Sequence, residues 1–267
     1  YWSGIAMAGA EMVTLPLLEE NDFLPDYSQV PATVWDKAKL MFLNYPNNPT
    51  GVGASPEVFE QTVDYATRHN VLVVHDFAYG GIGFDNKKPL SFLAQKGAKE
   101  VGIEIYTMSK TYNMAGWRIA FAVGNASVIE GINLIQDHYY VSLFPAIQRA
   151  AAVALTGPQS AVRELVETYE NRRNAFLAEL REQGYRCGER PCRAPEGSFY
   201  VWLKTPPGYS SVQFANDLLA SESVVVAPGV GFGANGEGYV RIALLADEPR
   251  LREAARRIAR FSRLESL

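Results

Sequence analysis

Short apolar runs alternate with one helical pattern between residues 39 and 76. The run KLMFL at 39–43 stops at NYPNNPTG, where two prolines, three asparagines and a glycine dictate a loop. Apolar residues then recur at helical spacing between Ser55, a typical helix N-cap, and Asn70. The run VLVVHD follows at 71–76. Strands that are apolar on both faces and flank a helix predict a parallel sheet covered by helices.

This alternation continues further along the chain. IEIY at 103–106 and IAFAVG at 119–124 predict two more strands, so residues 1–150 are predicted to be one large α/β domain. The first residues, YWSGIAMAGAEMVTL, have no initiator methionine and no charged segment before an apolar one, unlike a signal peptide. We expect them to lie in the middle of a domain whose N-terminal part is upstream.

The pattern changes after residue 150. Residues 160–183 are charged and amphipathic at helical spacing, and SFYVWL, SVVVAPG and YVRIAL predict strands before a last helix that begins near Pro249. Residues 151–267 therefore predict a smaller α+β domain at the C-terminal end.

Composition excludes several classes of protein. Of the 267 residues, 48% are hydrophobic and 20% charged, as in soluble globular proteins. The net charge of −4 gives no basic field for nucleic acid, and no apolar run reaches the roughly 20 residues that span a bilayer. Two cysteines make no disulfide framework, and three scattered histidines argue against a metal site. We expect a cytoplasmic, reducing location.

Polar residues follow three of the predicted strands. Asn48 with Thr50, Asp76 with Tyr79, and residues 107–110 each come directly after an apolar run. In open parallel sheets, ligands bind beyond the carboxyl ends of the strands. These segments are therefore expected to converge on one site.

Lys110 lies in TMSKTYNMAGWRIA, among small and hydroxyl residues. A lysine is usually a solvated surface residue, but one desolvated beside another cation can act as a nucleophile. Arg118 could be that cation, or it could bind an anion. The surrounding small residues allow close backbone approach, and the hydroxyl groups offer donors to a phosphate.

Asp76 comes at the end of an apolar run, and Arg241 lies within another. Asp76 is either a helix cap or turn acid, or a carboxylate directed at a cationic nitrogen in a partly buried site. Arg241, within YVRIALL, is either part of a structural ion pair or a bidentate clamp on a carboxylate.

The glycine-rich segment PGVGFGANGEG at 228–238 contains spacings that resemble GxGxxG, but it opens no helix. This argues against a dinucleotide site and predicts a mobile or tightly turned loop.

A nucleophilic lysine, an acid, phosphate donors and a carboxylate-binding arginine are the groups that pyridoxal phosphate chemistry uses. The motifs NYPNNPTG, HDFAYGGIGFD, SKTYNMAGWRIAFAVG, EGSFYVWL and YVRIAL also occur in the order and approximate spacing of one family. The chain resembles, over nearly its whole length, the class I/II aminotransferases of fold type I, the aspartate aminotransferase superfamily. The resemblance implies a cofactor, pyridoxal 5′-phosphate, and amino-group transfer between an L-amino acid and a 2-oxo acid by a ping-pong mechanism through a Schiff base.

The resemblance assigns roles around the cofactor ring. Lys110 matches the lysine that binds the cofactor's aldehyde carbon and shuttles the proton, and Asp76 matches the acid paired with the pyridine nitrogen. Asn48 and Tyr79 match the donors to the ring's 3-oxygen. Lys110, Asp76 and Tyr79 are thus the expected catalytic residues.

Other roles concern the phosphate and the substrate. Thr107 and Arg118 match the family's phosphate ligands, with Ser109 as a further candidate, and Thr107 stands where the family usually has serine or glycine. Arg241, with Asn48, is expected to hold the substrate α-carboxylate, which fixes the Cα–H bond relative to the ring.

The resemblance also implies parts that this chain does not show. The aromatic residue that stacks on the cofactor would fall about two residues before Tyr1, by its spacing to AG at 8–9. A helix N-terminus that binds the phosphate, and a tyrosine lent by a partner subunit, would lie further upstream. A homodimer with active sites at the subunit interface is expected, with no nucleic acid or membrane partner.

The segment IQDHYYVSL, before FPAIQ, bears on substrate choice. Aspartate specialists commonly use an arginine there to bind the distal carboxylate, and this chain has none. We expect that dicarboxylates are not bound in that way. Tyr139, Tyr140 and Phe144 either line a more apolar pocket or pack in an interface or core.

Three alternatives to an aminotransferase are considered. A β-lyase acting on cysteine conjugates would use the same Lys110, Asp76 and Arg241. A non-catalytic sensor domain with an aminotransferase-like fold is another class. A plain α/β protein without a cofactor requires all five motifs to be coincidental.

Overall fold

The chain forms two β-sheets with helices packed on them. The structure is a computed structural model that describes residues 1–185 and 192–264. Within that part, one sheet has the strand order β1-β2-β3-β4 and the other β5-β7-β6. The strands are Leu40–Asn44 (β1), Leu72–Asp76 (β2), Gly102–Thr107 (β3), Ala120–Gly124 (β4), Tyr200–Lys204 (β5), Ala227–Pro228 (β6) and Tyr239–Ala243 (β7).

The first sheet confirms the predicted α/β class. Strands β1, β2 and β3 are parallel, and β4 joins the edge antiparallel to β3. In β2 three consecutive residues of the five are buried, as expected for a strand covered on both faces. The second sheet is antiparallel throughout. The strand predicted within SVVVAPG is reduced to the two residues of β6.

The helices lie mainly where the patterns predict them. The longest predicted ones are observed with their buried stripes, which include Phe59, Phe176 and Ile258. The helices are Trp2–Met7 (α1), Ala32–Trp35 (α2), Pro56–His69 (α3), Ala98–Val101 (α4), Met108–Thr111 (α5), Ala126–Tyr139 (α6), Pro145–Thr156 (α7), Ser160–Glu182 (α8), Ser211–Glu222 (α9) and Glu248–Leu264 (α10). The domain boundary near residue 150 stays a prediction and falls inside α7.

The ends of helix α3 show the predicted local chemistry. The Ser55 hydroxyl accepts a hydrogen bond from the Val58 amide, and Pro56 occupies the first helical position. Asn70 ends the helix in the left-handed conformation, at φ 53°. The helix therefore delivers the chain to β2 in register beside β1.

Helices α6, α7 and α9 were not predicted. Helix α6 has no buried residue, so no stripe of core positions marks it in the sequence. Leu134, Ile135 and Tyr139 are largely exposed there. All helices in the described part of the chain are too short or too polar to span a bilayer.

The two sheets meet through backbone contacts around residues 195–197, just before β5. The Glu196 amide donates to the Gly51 carbonyl at 2.8 Å, and the Phe84 amide donates to the Glu196 carbonyl at 3.0 Å. A Cβ atom on Gly51 would lie 2.7 Å from the Cβ of Pro195, and one on Gly197 would lie 2.5 Å from the Ile82 carbonyl oxygen. Residues without side chains are therefore required on both sides of this contact.

Candidate active site

The carboxyl ends of strands β1 and β2 place Asn44 directly beside Asp76. The half-buried Asp76 carboxylate accepts a hydrogen bond from the Tyr1 hydroxyl, with Oδ2 2.8 Å from the donor oxygen. The Tyr1 ring stacks on Phe42, with centroids 4.7 Å apart. Asp76 therefore caps no helix, and its oxygen is directed at a donor group.

Tyr79 lies buried one turn beyond Asp76. Its pKa is raised well above the usual value, first by burial, then by Tyr200 and by the Asp76 charge, while Arg241 acts in the opposite direction. The Tyr79 hydroxyl therefore keeps its proton at neutral pH and is available as a hydrogen-bond donor. Because the charges of Asp76 and Arg241 both act on the Tyr79 hydroxyl, the three residues lie in one site.

Arg241 is held by aromatic rings and an amide. Its guanidinium carbon lies 4.1 Å from the ring centroid of Tyr200 and 4.5 Å from that of Phe232, and Nη1 donates to Asn48 Oδ1 at 2.9 Å. Its Nε is buried without a hydrogen-bond partner. Among the residues that the structure describes, no carboxylate forms an ion pair with Arg241. The structural ion pair considered from the sequence is therefore not observed there, and the cation remains available to an external anion.

Lys110 lies in the short helix α5, directly after β3. It is half-buried, and its Nζ atom lies 5.8 Å from the ring centroid of Phe199. Phe199 in turn makes an edge contact with Tyr79, at 5.5 Å between centroids. Within residues 1–185 and 192–262, no acid pairs with the Lys110 amine. This lysine therefore lies on the same side of the site as Tyr79, without a neutralising partner.

Thr107, Ser109 and Arg118 lie in the same turn-rich segment. The Thr107 hydroxyl donates to Ser109 Oγ at 2.9 Å and accepts from the Ser109 amide at 3.2 Å. Arg118 is exposed, has a positive φ of 53°, and donates to the Ala115 carbonyl at 2.9 Å. The structure thus pairs Thr107 with Ser109, and it leaves the Arg118 side chain accessible.

Several site residues were missed from the sequence. Tyr200 and Phe232 enclose Arg241, and Asn44 links Asp76 to the loop that carries Asn48. The rings lie in a strand and in the glycine-rich loop, where an aromatic residue gives no signal of stacking on a cation. The loop itself is tightly turned, because a Cβ on Gly229 would lie 1.9 Å from the Gly236 carbonyl oxygen.

The aromatic residues at and after the end of α6 do not support the core alternative. Tyr139, Tyr140 and Phe144 are exposed by 80%, 71% and 68%. They therefore do not pack in the core of the described chain, and the interface and pocket interpretations remain.

The donor set matches an anionic aromatic ligand better than a metal. It offers a carboxylate, a protonated phenol, an amide, two arginines and a lysine that has no acid partner among the described residues. The orphaned Nε of Arg241 requires an acceptor. No group of three or more His, Cys, Asp or Glu side chains in the described residues could hold a metal ion. These residues fit pyridoxal phosphate together with an amino acid.

Comparisons with known proteins point the same way. The family model for aminotransferase class I and II matches residues 1–258. The chain is 57% identical over 262 residues to L-glutamine–4-(methylsulfanyl)-2-oxobutanoate aminotransferase of Bacillus subtilis strain 168, covering 98% of this chain and 65% of that protein. It is 45% identical over 262 residues to LL-diaminopimelate aminotransferase of Syntrophobacter fumaroxidans, covering 98% and 66%.

A solved structure shows the same fold. Apo-BacF from Bacillus subtilis has a TM-score of 0.91 and 45% identity, covering 98% of this chain and 66% of that chain. The chain thus spans about two thirds of the length of the curated relatives that it matches. The names of these relatives favour neither the lyase nor the sensor alternative.

Proposed function

Because the chain belongs to the class I and II aminotransferases, we propose that it moves an amino group between an L-amino acid and a 2-oxo acid with pyridoxal 5′-phosphate as cofactor. The observation that carries this proposal is Arg241. It is a half-buried cation between two rings, with an unpartnered Nε and no acid beside it in the described chain. An α-carboxylate supplies the missing partner in bidentate geometry.

The other residues divide the cofactor between them. When bound, pyridoxal phosphate supplies an electron sink for the negative charge that develops at the substrate α-carbon. Asp76 holds the proton on the pyridine nitrogen, while Tyr79 and Asn48 donate to the 3-oxygen. Thr107, Ser109 and Arg118 bind the phosphate.

Lys110 holds the cofactor's aldehyde carbon and then moves the proton from the substrate α-carbon. A half-buried amine that no described acid neutralises suits both tasks. Its position on the Tyr79 side of the site, across Phe199, supports this assignment.

The visible spectrum tests this proposal. We expect purified protein loaded with pyridoxal phosphate to be yellow, and borohydride to fix the cofactor covalently on Lys110. Lys110→Ala should lose that label, and Asp76→Ala should keep it but lose most of its transamination rate. Equal labelling of Lys110→Ala, or a wild-type rate in Asp76→Ala, would contradict the assigned roles. Release of pyruvate and ammonia from a cysteine conjugate without an acceptor would instead indicate a lyase.

The amino-acid substrate is proposed to be other than a short dicarboxylate such as aspartate. No arginine occurs in residues 135–143, and the most similar relatives named above act on glutamine or LL-diaminopimelate. We expect kcat/KM for glutamine to exceed that for aspartate in a panel with alanine, tyrosine and LL-diaminopimelate. A dominant value for aspartate would refute this.

The chain is also proposed to act as a cytoplasmic homodimer with a large domain to about residue 150. Exposed apolar side chains on and after α6 support an interface, among them Leu134, Ile135 and Val141. Sedimentation of the active protein as a monomer would count against it.

A further inference from the structure

Asn44 ties two of the proposed cofactor ligands together. Its Nδ2 donates to the Asp76 carbonyl oxygen at 2.8 Å, and its Oδ1 accepts from the Asn48 amide at 2.8 Å. The carbonyl can only accept and the amide can only donate, so the orientation of the Asn44 side chain is fixed. Two hydrogen bonds therefore connect the backbone of Asp76 to that of Asn48.

His75 makes the reciprocal connection from strand β2. Its Nε2 lies 3.1 Å from the Tyr45 carbonyl oxygen and must donate, because a carbonyl only accepts. Its Nδ1 lies 3.0 Å from Glu104 Oε2, and Glu104 is the residue paired with His75 on β3. His75 is fully buried, and the Glu104 carboxylate also accepts from the Phe92 amide at 2.8 Å.

These bonds lie where the backbone ladder ends. The β1–β2 register stops at Asn44 and Asp76, and the next residues leave the sheet as the loop that carries Asn48. A loop without ladder bonds is ordinarily the more mobile part of such a fold. Here side chains add cross-strand bonds at the last pair of the register, from Asn44 to Asp76, and one residue beyond it on β1, from His75 to Tyr45.

We propose that Asn44 and His75 act as positioning residues that fix the distance between the Asp76 carboxylate and the Asn48 side chain. We name the pair the strand-end brace. This inference rests on the proposed function, in which Asp76 and Asn48 contact two atoms of one rigid ring. A rigid planar ligand needs its two partners at one fixed separation, and a small displacement weakens both contacts together.

The alternative is that the brace only stabilises the sheet. Asn44→Ala then lowers the free energy of unfolding and nothing else. Thr62→Val is the matched control, because Thr62 is buried in the same part of the chain and also makes two hydrogen bonds, to Tyr27 and to the Val58 carbonyl. Neither of these bonds involves Asp76 or residues 44–48.

The experiment measures pyridoxal phosphate binding by the visible absorption of the full-length wild type, Asn44→Ala and Thr62→Val. We expect the dissociation constant to rise about tenfold in Asn44→Ala, the loss of roughly one buried hydrogen bond to a site group. In Thr62→Val it should change less than about twofold, even if urea denaturation shows an equal loss of stability.

A second measurement keeps the test independent of folding yield. In Asn44→Asp the oxygen that accepts from the Asn48 amide remains, whereas the donor to Asp76 is lost. Hydrogen exchange of the Asn48 amide should stay slow in Asn44→Asp and speed up at least about tenfold in Asn44→Ala.

The outcomes separate the two proposals. Equal cofactor binding in wild type and Asn44→Ala would overturn the brace and leave the proposed function intact. Equal weakening in Asn44→Ala and Thr62→Val would assign the effect to stability and overturn it as well. A wild-type protein that binds no pyridoxal phosphate would overturn the proposed function and the brace with it.

Discussion

Replacing Arg241 with methionine separates a structural arginine from one that binds substrate. Methionine keeps an unbranched apolar chain between the rings of Tyr200 and Phe232 but removes the charge and every donor. If Arg241 is structural, its replacement should lower mainly the free energy of unfolding. If Arg241 binds the substrate carboxylate, its replacement should lower mainly kcat/KM.

The expected change in stability is small. The variant loses the Nη1 bond to Asn48, worth about 1 kcal/mol, and the stacking of a cation on two rings, roughly 1 kcal/mol more. It also removes a half-buried charge and a buried Nε without a partner, which cost the wild type about 1–3 kcal/mol. The terms oppose each other, so we expect the free energy of unfolding to change by less than about 1.5 kcal/mol.

The expected change in substrate use is large. Two charge-assisted hydrogen bonds to a carboxylate contribute about 1.5–3 kcal/mol each, so kcat/KM for an amino acid should fall at least about 100-fold in Arg241→Met. Urea denaturation of the protein without amino acid gives the first quantity, and steady-state transamination gives the second. A primary amine without a carboxylate is the control substrate, and its rate should change little. A loss of more than about 3 kcal/mol in stability with unchanged kcat/KM would make Arg241 structural and refute the reasoning.

Two further predictions concern stability. Arg173 is buried and pairs with Asp85 through two bonds of 2.8 and 2.7 Å, besides donating to the Pro195 carbonyl, so Arg173→Met should cost about 2 kcal/mol near pH 7. The hydrogen bond from Arg173 lowers the pKa of Asp85. The pair therefore stabilises the protein above the ordinary carboxyl pKa near 4, and this stabilisation is lost as the pH falls through the lowered value. A difference in unfolding free energy between wild type and variant that did not shrink in acid would contradict this. Gly229→Ala should cost about 2–3 kcal/mol in urea denaturation, because its Cβ would lie 1.9 Å from the Gly236 carbonyl oxygen. The neighbouring Gly231→Ala, whose Cβ meets nothing within 4 Å, should stay within about 0.5 kcal/mol, and equal losses would show that the close backbone contact is not the cause.

Several elements that bury a face were predictable from the sequence, although helix α9, which buries Phe214 and Leu218, was not predicted. Strand β2 and helices α3 and α10 carry apolar residues at the period of their structure. Strand β2 and helix α3 are observed within one or two residues of their predicted bounds, and α10 begins at Glu248, one residue before Pro249. Helix α6 escaped prediction because none of its residues is buried. A helix without a buried stripe leaves no periodic pattern to find.

The sequence predicted which kinds of residue form the candidate site, but not which hydrogen-bond partner each of them has. The motif NYPNNPTG predicts a loop, but its three asparagines have the same side chain, so the sequence does not tell their roles apart. In the structure Asn47 closes the turn onto Thr50, Asn48 faces Arg241, and Asn44 bridges to strand β2. Only the three-dimensional position of each partner distinguishes them, since a side-chain amide bonds whatever donor or acceptor lies within reach.

The backbone contact around residues 195–197 has a mechanical consequence. Gly51 and Gly197 carry no side chains, which lets main-chain segments next to the two sheets approach closely, and hydrogen bonds from the Glu196 and Phe84 amides hold the contact. Main chains joined in this way cannot slide past each other without breaking those bonds. Any movement of one sheet relative to the other that keeps the bonds would therefore leave the distance between Gly51 and Glu196 nearly constant, so that the loop carrying Asn48 would move together with the segment that leads into β5.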